Sequence, residues 1–189
     1  MKKLIAILMM LLPMLTGAQE LANFVLMPDG TYQTEDGKDF VVIPFEGKTA
    51  HQIYQELASN VAATFNDPSK VMSGVEDASI KIRAHSDDLV RNRVMGIGQS
   101  MGGYYQLEFR IKDGRVRVSA PYVEEEVGFW MGGEYNSNKF EWFVKKHFKN
   151  DKLKDGKRKE DYDIVVAKMN GVINNILNRS AVQDANEDW

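Results

Sequence analysis

Six basic side chains are the part of this sequence with the clearest chemical use. Arg110, Lys112, Arg115 and Arg117 flank Asp113-Gly114, and Lys81 and Arg83 repeat the same two-residue spacing upstream. That spacing puts side chains on one face of a β-strand. Asp-Gly between alternating apolar residues is the strongest short-range signal for a two-residue hairpin turn. Such a turn sets Lys112 opposite Arg115, Ile111 opposite Val116, Arg110 opposite Arg117, Phe109 opposite Val118 and Leu107 opposite Ala120. Apolar then meets apolar on one face, and a slip of one residue would destroy the agreement. The other face gathers like charges directly across a ladder, which costs roughly a few tenths of a kcal/mol or more. Within the hairpin, Glu108, diagonal to Arg117, is the local relief. Long basic chains can carry their charge out to water while acids on other strands compensate. The functional reading is an anion-binding sheet face made of Arg110, Lys112, Arg115, Arg117, Lys81 and Arg83, flanked by Tyr104 and Tyr122.

Other groupings carry less. Gly96-Ile97-Gly98-Gln99-Ser100-Met101 has Met where a dinucleotide fingerprint needs its last glycine, and a strand rather than a helix follows. It reads as a flexible or bulged strand connection. His51, His85 and His147 stand far apart, outside any HExxH-like frame, and read as surface or rim residues. Glu124-Glu125-Glu126 on a strand would point alternately to opposite faces, so the three cannot converge on one cation; they read as a solvated strand end. There is no Gly-x-Ser-x-Gly elbow. No catalytic, cofactor-binding or metal-binding residue is assigned, and no cofactor is expected. A second basic run from Lys145 through Lys149, Lys152, Lys154 and Lys157 to Lys159 reads as a solvated connector, with anionic envelope lipid as its functional alternative.

The elements that must position the basic face follow from pattern. Phe24–Met27 and Thr31–Thr34 around Pro28-Asp29-Gly30 suggest a short hairpin. Phe40–Phe45 is apolar throughout, as a strand covered on both faces would be, with Pro44 at its end or at a sheet edge. Thr49-Ala50-His51-Gln52 is a capping box. Behind it Ile53, Tyr54, Leu57, Ala58, Val61 and Phe65 recur at helical spacing until Pro68. Ser79–His85 alternates, with Ile80, Ile82 and Ala84 on one face, and Leu89–Gly98 is the expected partner strand across Ser86-Asp87-Asp88. Tyr104–Ile111 and Arg115–Val123 form the basic hairpin. Gly128–Lys139 reads as a loop and Glu141–Phe148 as a short helix. Lys149–Glu160 reads as solvated. Tyr162, Val165, Val166, Met169, Val172, Ile173, Ile176 and Leu177 form the apolar stripe of a long helix.

The stretch Phe40-Val41-Val42-Ile43-Pro44-Phe45-Glu46-Gly47-Lys48-Thr49, with the helix ending at Phe65-Asn66-Asp67-Pro68, resembles an exported bacterial family. This is the domain-of-unknown-function family 4468, described as TBP-like in fold. The Lys112–Arg115 turn and the closing helix also fit. The resemblance implies an α+β fold of order β-α-β-β-β-β-α, a curved antiparallel sheet with two main helices packed on one face. It implies no activity, because shape does not transmit function.

The chain opens with Met1-Lys2-Lys3, an apolar block from Leu4 to Leu15, and Thr16-Gly17-Ala18. A basic start, a short apolar segment and small residues before a cut define a secretory leader, with cleavage expected between Ala18 and Gln19. The expected organisation is a signal peptide at 1–18, an N-terminal extension at 19–38, the α+β domain at 39–180 and a polar tail at 181–189. Localisation is then periplasmic or secreted, with no membrane span after cleavage. The absence of Cys removes disulfides and thiol chemistry. A net charge of −3 argues against nucleic acid as partner. The expected function is a non-catalytic binding or interaction module whose partner is an anionic glycan, a lipid headgroup or an envelope protein. The alternatives are a small envelope hydrolase built from scattered residues, and a structural protein pairing through Leu21–Thr34.

Overall fold

The computed structural model describes residues 21–94, 97–131 and 134–178. The leader with its Ala18-Gln19 cut, Gly96 and the polar tail lie outside them. The first described element is a minimal hairpin, β1 (Val25–Leu26) with β2 (Tyr32–Gln33), closed around Gly30 at φ 85°. β3 (Phe40–Pro44) follows, then α1 (Ala50–Thr64). The capping box forms as the sequence suggests: Thr49 Oγ1 accepts from Gln52 N, and Gln52 Oε1 accepts from Thr49 N. Ile53, Leu57 and Val61 are buried one turn apart. The helix yields at Phe65, and Pro68 opens the single turn α2 (Pro68–Val71), where a missing N–H costs nothing.

Six strands then run to α3: β4 (Met72–Val75), β5 (Ser79–Val94), β6 (Ile97–Lys112), β7 (Arg115–Ser119), β8 (Tyr122–Met131) and β9 (Glu134–Lys139). With β3 they form one antiparallel sheet ordered β3-β7-β6-β5-β4. β8 takes over the edge of β6 beyond β7 and carries β9. α3 (Phe140–Lys145), a small hairpin of β10 (Phe148–Lys149) and β11 (Lys152–Leu153), and α4 (Lys157–Ile176) complete the chain. Ile43, Ile80, Ile82, Ala84, Leu107, Phe109, Ile111, Val116 and Val118 bury one face of the sheet, and α1, α3 and α4 pack over that side. The α+β class, with helices on one face of an antiparallel sheet, is therefore observed. Among the described residues, six strands of the sheet and the small β10–β11 hairpin, rather than four strands, separate the two main helices α1 and α4.

Several local expectations are corrected. Ser86-Asp87-Asp88 is not a turn. β5 runs through it as a bulge, and its partner is β6, not Leu89–Gly98; the hairpin closes where Val94 pairs with Ile97. The bulge fits because Gly102 faces it: a Cβ there would stand 3.0 Å from Asp87 Cα and from the Ser86 carbonyl oxygen. Arg115–Val123 is two strands, since Pro121 has no N–H for a ladder and Ala120 N donates instead to Asp39 O at 2.7 Å. The ladder between β6 and β7 thus stops at Phe109–Val118, without Leu107–Ala120. The described residues of Gly128–Lys139 form a strand pair rather than a loop, with Gly128 against Ser137. Phe40–Phe45 is covered on one face: β3 is an edge strand, Ile43 and Phe45 are buried, and Val42 is 44% exposed. The charged run after Lys149 contains the β10–β11 turn, with Asn150 and Asp151 at φ 51° and 59°.

The N-terminal segment is tied to the last helix. Ala22 N donates to Asn174 Oδ1 at 2.9 Å and Asn174 Nδ2 donates back to Ala22 O at 2.9 Å. Phe24 repeats the exchange with Asn170 at 3.0 and 2.9 Å, and Leu26 does so with the Tyr162 hydroxyl at 3.1 and 3.0 Å. Two extended residues advance about 6.7 Å and four helical ones about 6 Å, so Ala22 and Phe24 meet Asn174 and Asn170 in step, while Tyr162, eight residues from Asn170, reaches Leu26 with its longer side chain. The two asparagines, both buried, act as a strand edge. A further tie, Arg93 to Asp161 at 2.8 and 2.9 Å, joins β5 to α4.

Candidate functional site

Burying one side of the sheet leaves its other side open, and the alternation within the strands decides what stands there. Register places Val42 beside Arg117, Arg117 beside Arg110, and Lys112 beside Arg115. These five residues line a basin of about 290 Å³ at the β3 edge. Among the described residues, no carboxylate pairs with Lys112, Arg115 or Arg117; Arg110 reaches Glu108 at 3.3 Å. The Arg117 guanidinium lies 4.0 Å over the Phe40 ring, and its Nε is buried with no hydrogen-bond partner.

The remaining two candidate bases belong to a different neighbourhood. Lys81 approaches Glu108 at 3.5 Å, and that carboxylate also accepts from Ser119 Oγ at 3.1 Å. Arg83 holds Glu124 through Nε at 2.6 Å and Nη2 at 2.8 Å, and stacks 4.0 Å over Tyr104. Gln106 Nε2 adds a bond to Glu124 at 3.3 Å. Burial pushes the Glu108 carboxyl up, but the Arg110 and Ser119 hydrogen bonds and the nearby positive charges win, and it sits below its ordinary value. The Arg83 hydrogen bond holds the Glu124 carboxyl below its ordinary value against desolvation. Lys81, Arg83, Gln106, Glu108 and Ser119 border a second depression of about 430 Å³ that contains Tyr122.

Four of the six sequence-predicted bases thus converge, while Lys81 and Arg83 are neutralised beside them. The sequence reading missed Val42, which a both-faces-covered strand would hide. It also missed the role of Glu124, whose position two residues after Tyr122 puts it on the open face. Taken together, the six bases exceed Glu108 and Glu124 by four charges, in a chain whose overall balance is −3. Positive charge is therefore concentrated on this face.

A DUF4468 family protein from Bacteroides ovatus superposes on the chain with a TM-score of 0.52, over 90% of this chain and 94% of that one, at 14% identity. The two share a fold. A TBP-like protein from Parabacteroides distasonis gives a TM-score of 0.49 at 10% identity, over 75% of this chain and 92% of that one. No family model and no curated protein matches the sequence. The likeness to the DUF4468 protein concerns the path of the backbone, and the chemistry of the open face has to be argued from this chain's own side chains.

The other expected groupings fall elsewhere. His147 is not a rim residue. It is 1% exposed, Nδ1 lies 3.0 Å from the Arg158 carbonyl, and desolvation pushes the imidazole below its ordinary value. His51 Nδ1 lies 3.0 Å from Asp77, and with Glu76 these exposed groups could offer ligand atoms within 4.8 Å of one another. The second basic run is dispersed: Lys145 pairs with Glu141, Lys159 with Asp163, Lys146 covers the Trp142 ring at 3.2 Å, and Lys154 donates to Lys146 O. Among the described residues no helix is long and apolar enough to cross a membrane.

Proposed function

We propose that this protein is an exported binding module that takes an anionic group into the basin of Arg110, Lys112, Arg115 and Arg117. The observation that carries the reading is the charge around Arg117: it shares one basin with Arg110, Lys112 and Arg115, and among the described residues no carboxylate pairs with Lys112, Arg115 or Arg117. An oxyanion in the basin would accept charge-assisted hydrogen bonds from these bases, worth about 1.5–3 kcal/mol each. The stack on Phe40 holds the guanidinium in place, so less of its freedom is lost on binding. The basin lining is four bases and a valine, with no imidazole or carboxylate. That inventory suits capture of an anion better than acid–base hydrolysis. The opening 18 residues support export, which places the ligand in an envelope or extracellular setting.

The test is calorimetric titration of sulfate and of glucuronate into the protein and into the Arg110→Gln/Arg117→Gln variant. Saturable binding by the parent that the variant loses supports the reading. A parent that binds neither anion removes it.

A further inference from the structure

The two depressions on the open face differ in charge, and that difference specifies a ligand. We propose that the depression beside Tyr122 is a second subsite holding an uncharged sugar ring, and that the whole face binds an acidic oligosaccharide in which charged and neutral residues alternate. This rests on the anion reading of the basin.

The second depression has what a pyranose requires. A sugar presents a face of C–H groups and a rim of hydroxyls. Tyr122, 58% exposed, offers a rigid aromatic surface for the former at low entropic cost. Gln106 stands directly across the ladder from it, and Arg83, Glu108, Ser73 and Ser119 share the rim. These groups are held in advance: Arg83 between Glu124 and Tyr104, and Glu108 between Ser119, Lys81 and Arg110. Planar amide, carboxylate and guanidinium groups fixed in this way suit pairs of adjacent hydroxyls.

The depressions are neighbours. Arg110 and Glu108 lie two residues apart on β6, as do Arg117 and Ser119 on β7, so a step of about 6.7 Å along the strands leads from one to the other. At the boundary Glu108 already holds Lys81 and Arg110, and Glu124 holds Arg83, so a second negative charge beyond the basin meets bases that have their carboxylates. A uniformly charged polymer would therefore be accepted in the basin and penalised beyond it. An acidic ring followed by a neutral ring matches both halves.

Four probes test this: glucuronate, an unsulfated tetrasaccharide of alternating glucuronate and N-acetylglucosamine, tetragalacturonate, and phosphatidylglycerol vesicles. The alternating tetrasaccharide should bind at least about tenfold more tightly than glucuronate and than tetragalacturonate. Tyr122→Ala should lower its affinity about fivefold to tenfold, Tyr122→Phe should preserve it, and neither change should alter glucuronate binding. The inference is overturned, with the basin reading intact, if glucuronate binds and the tetrasaccharide gains nothing. It is equally overturned if tetragalacturonate matches the tetrasaccharide, if Tyr122→Ala leaves the gain untouched, or if the vesicles bind while the tetrasaccharide does not. Failure of both glucuronate and sulfate removes both readings.

Discussion

The open face of the sheet holds two kinds of basic residue within a few ångströms of one another. Around Arg83 and Lys81, each positive charge has its carboxylate, Glu124 or Glu108, in direct contact. Among the described residues no carboxylate pairs with Arg117, Lys112 or Arg115, although Arg117 sits opposite Arg110 and Lys112 opposite Arg115 on adjoining strands. If the bases served merely to keep the face soluble, both halves would be balanced alike. One half holds its geometry and the other tolerates repulsion, as the proposed anion site would require.

The comparison breaks most sharply if the unbalanced half is silenced. Arg110→Gln with Arg117→Gln should lower the affinity for sulfate or glucuronate at least about a hundredfold, since each charged hydrogen bond contributes about 1.5–3 kcal/mol. The same change should leave the fold slightly more stable, because it removes a directly opposed like-charge pair. Calorimetry and denaturant unfolding read the two effects separately. Lost binding together with lost stability would show that the pair is structural.

Converting the balanced half into the unbalanced kind is the reciprocal experiment. Glu108→Gln frees Arg110 and Lys81, so anion affinity should rise about threefold to fivefold by removal of an adjacent negative charge. An unchanged titration would mean that Glu108 does not bound the basin. Lys112→Thr is the milder probe. It should stabilise the protein by about 0.2–1 kcal/mol while weakening the anion about twofold.

The smallest effect is a pH dependence. Glu108 and Glu124 titrate below their ordinary values when folded, so their contribution to stability is complete above the unfolded carboxylate pKa, near 4.5, and is lost as pH falls through the lowered folded values. Over that acid window Lys81 and Arg83 lose their partners. Sulfate should then raise Tm by more at about pH 3 than at about pH 7. Equal increments at both pH values would say that the balanced half cannot be recruited.

How much of this was legible in the sequence depended on how local the cause was. The Lys112–Arg115 turn and the pairs from Ile111–Val116 to Phe109–Val118 came out as read, because turn chemistry and alternation sit within a dozen residues and agree. Ser86-Asp87-Asp88 misled because two aspartates suggest a turn. What lets the chain continue there is Gly102, on the partner strand. Val42 and Glu124 reach the open face from β3 and β8, so their place depends on strand order, which no local pattern encodes. Asn170 and Asn174 escaped because a scan for apolar periodicity passes over amides, yet two asparagines four residues apart beside Met169 and Ile173 were the available signal.

Those two asparagines have a consequence for how the polypeptide comes to be finished. They join the beginning of the described chain to its final helix, so apart from its own small hairpin the first segment lacks these partners until almost the whole of the described chain has been synthesised. A nascent chain of this design reaches a ribosome exit or a translocation channel with its ends still unjoined. Assembly then completes as a closing of the circle rather than as growth from one end.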